Sequence, residues 1–147
     1  MRKSFLAIAL VASVAAPAAA DDVSVVGNYD VKYDEMSNNC TNVGMTLARG
    51  SLKIELRQGT LVVDIERIPL MSGVPAKNGA INAKSKLAPT VIQGLDGKFS
   101  IGGRVSGGDG MLQLVFVAEY QAKGKPLCTQ SWNVTGVRQA SKPEPKK

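Results

Sequence analysis

The chain contains no histidine. That absence removes the side chain that most often acts as a general base near neutral pH, the commonest metal ligand, and every Ser-His-Asp or Cys-His arrangement. Cysteine is nearly absent as well, Cys40 and Cys128 being the only two. Scattered carboxylates without a thiolate cluster or histidines do not make a metal centre, and no metal or cofactor is expected. Aromatic residues make up 5% of the sequence, too few beside basic side chains to build a base-stacking surface for nucleic acid. Helical periodicity is almost missing, so little helix is expected beyond a short turn near Ser37 to Leu47. The longest apolar run, Phe5 to Ala16, is shorter than the roughly 20 residues that cross a bilayer.

That run lies between Met1-Arg2-Lys3-Ser4 and Pro17-Ala18-Ala19-Ala20, which together form the three parts of a secretory signal. Cleavage after Ala20 is expected, with release of a soluble protein into the periplasm or the medium. In an oxidising compartment Cys40 and Cys128, with no third cysteine to compete, most simply pair with each other. Closing so long a loop stabilises by roughly 4 kcal/mol in the chain-entropy model. The net charge of +6 from 18 Lys and Arg against 12 Asp and Glu is unevenly placed. Arg2 and Lys3 belong to the signal, while Arg138, Lys142, Lys146 and Lys147 face only Glu144 at the other end. Residues 21–138 are expected to form one domain that is nearly neutral. Residues 139–147 have no apolar face to bury and are expected to be a disordered basic tail, chiefly solubilising and able to make weak contact with anionic surfaces.

Between signal and tail the dominant pattern has period two. Tyr29, Val31 and Tyr33 alternate with polar neighbours, as do Leu52, Ile54 and Leu56, and a Gln58-Gly59 turn leads to Leu61, Val63 and Ile65. Asp96-Gly97 is a hairpin turn signal, and paired Gly102-Gly103 inside the following strand suggest a bulge or bend. Gly107-Gly108-Asp109-Gly110 is read as a turn, because no helix and no Lys-Ser/Thr follow it as a phosphate loop requires. In Met111 to Tyr120 both faces of the middle are apolar enough to be covered. Cys128, Gln130, Trp132 and Val134 share one parity of the last strand. About eight such strands predict an antiparallel meander, either an up-and-down barrel or a β-sandwich, braced by one disulfide from its beginning to its end.

Candidate chemistry is sparse. Asp64 and Glu66 are spaced to lie on one face of a strand, the separation a glycosidase carboxylate pair needs. They interleave with Val63 and Ile65, however, and Lys53 and Arg57 across the hairpin offer them partners, so they read as a solvated face. Leu70 and Met71 either pack beneath a loop or line the mouth of a cavity. Asn39-Cys40-Thr41 and Asn133-Val134-Thr135 match glycosylation sequons that a bacterial exported protein would not use.

The opening Gly27-Asn28-Tyr29-Asp30-Val31 resembles the Gly-x-Trp start of lipocalin-like barrels, with Tyr29 in place of the Trp, and Trp132 and Arg138 are similar to that family's closing strand. The resemblance implies a small exported barrel. Exported protease-inhibitor barrels, which bind a protein, share the Gly-x-aromatic start and a single disulfide. The expected function is therefore a non-enzymatic binding module of the cell envelope that engages another envelope protein through surface strands and loops. The alternative is a lipocalin-like carrier whose interior holds a small apolar ligand against Tyr29, Phe116 and Trp132. An unrecognised hydrolase is the third.

Overall fold

The period-two pattern dictates extended chain, and the computed structural model contains strands and turns but no helix among its described residues. It describes residues 25–140 apart from 42, 76 and 107–109, so the expected signal, the glycine-rich turn at 107–109 and residues 141–147 of the tail lie outside the described residues. The strands are β1 (Gly27–Asn38), β2 (Arg49–Arg57), β3 (Thr60–Ile65), β4 (Met71–Gly73), β5 (Ala80–Lys84), β6 (Ala88–Pro89), β7 (Leu95–Val105), β8 (Met111–Ala122) and β9 (Lys125–Arg138). All pairs are antiparallel. Neighbours run β5-β4-β3-β2-β1-β9-β8-β7, and β5 pairs again with β7 from Ala80 opposite Arg104 to Lys84 opposite Ser100. All strands but β6 thus close one ring instead of stacking as two sheets. The two-residue β6 lies along the other half of β7, with Ala88 opposite Gly97.

Inward side chains follow the parity read from the sequence. Leu112, Leu114, Phe116, Ala118 and Tyr120 of β8 and Cys128, Gln130, Trp132 and Val134 of β9 are all buried. The middle of the ring is filled by a stack in which Phe116 lies 5.4 Å from Trp132 and 6.0 Å from Phe99, with Tyr120 edge-on to Phe99 at 6.4 Å. Turns form where backbone freedom allows them. Gln58-Gly59, Asn78-Gly79 and Lys123-Gly124 each place two successive residues at positive φ, the requirement of a tight hairpin turn that matches strand twist.

The structure corrects several local expectations. Asp96-Gly97 lies inside β7, not at a turn: a Cβ on Gly97 would sit 2.8 Å from Cζ of Phe99, so the glycine makes room for that ring. The turn comes earlier, where Gly94 has φ +81° and Leu95 N–H donates to the Ile92 carbonyl at 3.1 Å. No bulge occurs at Gly102-Gly103, since both ladders run through them in register. Gly103 is instead wedged against β8, where a Cβ would lie 2.3 Å from the Gln113 carbonyl oxygen. Register shifts occur at Glu35/Ser37 on β1 and Tyr120/Gln121 on β8. Ser37 and Asn38 extend β1, and no helical turn follows them among the described residues. Met71 is a fully buried member of β4 whereas Leu70 is exposed, and the outward face of β8 is open at Val115.

One end of the ring is plugged. The Tyr29 hydroxyl donates to the Val25 carbonyl at 2.6 Å and accepts from Nη2 and Nε of Arg138 at 2.9 and 3.3 Å, with the guanidinium 5.4 Å from the Tyr29 ring centre. Beyond Arg138 the chain is still held, because Gln139 donates through its N–H to the Asn28 carbonyl and through Nε2 to Asp30.

Tyr33 is the contrasting tyrosine of β1: it is 6% exposed, and its buried hydroxyl has no hydrogen-bond partner among the described residues. Burial pushes its phenol, and that of Tyr120, from 10.0 up to about 12. The folded state therefore keeps protons that the unfolded chain loses, so stability is full below pH 10 and falls as the pH rises towards 12. Tyr33→Phe removes an unsatisfied polar group and should stabilise by roughly 1 kcal/mol in urea unfolding. It should also make the alkaline loss of melting temperature shallower. A destabilised variant with an unchanged alkaline limb would show that the hydroxyl has a partner.

Candidate functional site

The connections β1–β2, β3–β4, β6–β7 and β8–β9 all meet at the end of the ring opposite the Tyr29 plug, as an antiparallel meander requires. There the structure leaves a cleft of about 450 Å³. Its floor is the end of the aromatic stack, Phe99 and Tyr120, with Leu95 beside them. Arg67, Ile68 and Pro69 of the β3–β4 connection form one wall, and Pro89, Thr90, Val91 and Ile92 form the opposite one. Gly44 and Met45 of the β1–β2 connection complete it.

The sequence holds this third wall in place by covalent and polar means. Cys40 and Cys128 form the expected disulfide, with Cα atoms 5.1 Å apart, which ties the segment after β1 to the start of β9. Beside it Asn39 N–H donates to the Thr129 carbonyl, and Asn39 Oδ1 accepts from Thr129 N–H at 2.7 Å. Two residues on, Gln130 points inward and is 1% exposed. Its Oε1 accepts from Met45 N–H at 2.9 Å and from the Tyr120 hydroxyl at 2.9 Å, while its Nε2 donates to the Met45 carbonyl at 3.1 Å. A buried amide is tolerated because both of its ends are engaged. Gly44 belongs to the same clamp: its φ is +114°, and a Cβ would stand 2.7 Å from Gln130 Oε1.

The lining is apolar except for three side chains. Thr90 is spent locally, its hydroxyl serving the Leu95 carbonyl at 2.8 Å and the Ile92 backbone. Tyr120 is committed to Gln130. Arg67 remains, exposed, with no ion pair or side-chain hydrogen bond among the described residues.

The residues singled out from the sequence fall elsewhere. Tyr29, Phe116 and Trp132 are all buried inside the ring, Tyr29 within the plug and the other two in the stack, and none of them lines the cleft. Asp64 lies on β3 opposite Lys53, but Glu66 is in the turn beyond the strand, so the two do not share a strand face. Lys53 and Arg57 do not pair with them. Both instead bond Glu55 of their own strand, at 2.5 and 2.7 Å, and hold its carboxyl below the usual range. Among the described residues no group of three or more Cys, Asp or Glu could hold a metal ion. Leu70 and Met71, for which the sequence offered packing beneath a loop or lining a cavity mouth, do not line the cleft: Met71 is buried in the core and Leu70 is exposed, and Ile68 and Pro69 line it instead. Gln130 carried a visible signal, a polar residue on the apolar parity of β9.

Gln130→Leu keeps the volume but leaves Met45 N–H, its carbonyl and the Tyr120 hydroxyl without partners, and should cost about 3 kcal/mol in urea unfolding. Gly44→Ala, strained in backbone and blocked by Gln130, should destabilise too. A Gln130→Leu variant as stable as the parent would remove the clamp from the account of this site. Compared with known proteins, the chain matches no family model, no curated protein and no solved structure.

Proposed function

We propose that this chain is a non-enzymatic, exported binding module that takes a small apolar ligand into the cleft at the open end of its ring. The observation that carries the reading is the cleft itself: about 450 Å³, walled by apolar side chains on a floor of packed aromatics. Small-molecule sites range from roughly 300 to 1,000 Å³ and share this mostly apolar lining with a few polar groups. The ligand sits at the mouth, not deep within, because Phe116 and Trp132 already fill the interior. Export is supported by the paired cysteines and by the signal-like residues 1–20. Among the described residues no helix is long and apolar enough to cross a membrane.

A second reading, an envelope protein as partner, is favoured by the rim. Val91 is fully exposed and Ile92 partly so, while exposed Leu70 and Leu87 stand within two residues of the lining prolines Pro69 and Pro89. Such a rim suits contact with a protein as well as shielding of a ligand.

The neutral fluorescent probe N-phenyl-1-naphthylamine should bind the full chain with enhanced emission. Ile92→Asp, which sets a charge on a wall without touching the core, should weaken it by about tenfold. An absence of probe uptake by the parent would overturn the ligand reading. Native mass spectrometry of protein from its own source should show a retained small molecule, whereas a retained partner chain would favour the second reading.

A further inference from the structure

We infer that the ligand of the cleft is an anionic amphiphile, an apolar body bearing one carboxylate that sits against Arg67 at the rim. The inference rests on the reading that the cleft is the binding site. Two independent features support it. The first is the charge of the lining. Arg67 is the single charged side chain there, no carboxylate joins it, and the hydroxyls of Thr90 and Tyr120 are engaged within the protein. A guanidinium offers five donors in a planar fork that matches a carboxylate, and here nothing among the described residues takes them up.

The second feature is the backbone of Arg67. Residues other than glycine stand at positive φ at Gln58, Arg67, Asn78 and Lys123. Gln58 and Lys123 each precede a glycine in a two-residue hairpin turn, where that conformation is imposed by strand twist, and Asn78 precedes Gly79 in a tight turn closed by Ala80 N–H donating to the Lys77 carbonyl at 2.9 Å. Arg67 does not. It is followed by Ile68, which is buried, and its turn is closed by Ile68 N–H donating to the Ile65 carbonyl at 3.1 Å. Left-handed backbone costs a branched-off Cβ roughly 1–2 kcal/mol that glycine would not incur. The fold therefore carries a strained arginine where an unstrained glycine would turn the chain equally well. The strain places the one unpaired cation of the lining at the lip of an apolar cleft, which is the geometry that separates an anionic head from its apolar body.

Competition against N-phenyl-1-naphthylamine tests this on the full chain with laurate and with dodecanol, its neutral counterpart of equal chain length. Laurate should displace the probe at about fivefold lower concentration than dodecanol, an advantage that added salt reduces, as an exposed ion pair requires. Arg67→Gly should abolish the advantage of laurate over dodecanol, read as the ratio of the two displacement concentrations, and raise the melting temperature, which separates a lost ion pair from damaged folding. Equal displacement by the two ligands, or a laurate advantage that survives Arg67→Gly, would overturn the inference while leaving the cleft as a site. Failure of the probe itself to bind would overturn the reading beneath it. Sedimentation with phosphatidylglycerol vesicles without laurate uptake would make the rim a membrane contact and likewise overturn the inference.

Discussion

Pairing of the first strand with the last is the constraint on which the rest depends. β1 lies between β2 and β9, and without the β1–β9 ladder the meander would be an open sheet with two long unpaired edges. The joint is fastened at both ends by different means. Near the plug, Arg138 of β9 lies over Tyr29 of β1, and Gln139 carries the pairing one residue further. At the other end the Cys40–Cys128 disulfide, Asn39 and Gln130 hold the segment that leaves β1. The same fastening that closes the ring thereby supplies one wall of the cleft, so stability and the shape of the site are not separable there.

The strands were legible because their side chains obey one rule at a time. Where inward residues are apolar and outward ones polar, as in β2 and the first half of β1, parity fixes the face and the face fixes the register. The paired cysteines were legible for a different reason, since Cys40 and Cys128 are the only two in the chain and no other pairing competes. What could not be read depended on distant neighbours. Asp96-Gly97 has the composition of a turn, but its glycine answers to the Phe99 ring. Gly102-Gly103 has the composition of a bulge, but the ladders run straight through it and Gly103 answers to the close approach of β8. The cleft was hidden because its walls come from three connections far apart in sequence, brought together only by ring closure.

That closure is uneven, and its weakness explains where a site can exist. β8 and β9 pair along nearly their whole lengths, whereas β4 and β5 pair only at Ser72 and Lys84. Towards the cleft end, beyond that single pair, stand Pro69 before β4 and Pro89 after β5. Proline has no N–H to give to a ladder, and Pro89 lies in β6 against Asp96 of β7, so no ladder joins the two segments to each other. Ser85 repairs part of the loss on the β7 side, its hydroxyl accepting from Phe99 N–H at 2.9 Å, but nothing joins Pro69 to Pro89 across the gap. The end of the aromatic stack consequently lies beneath a cleft at this seam, whereas Arg138 and Tyr29 seal the other end. The cleft arises here because strand pairing gives out above a packed aromatic floor.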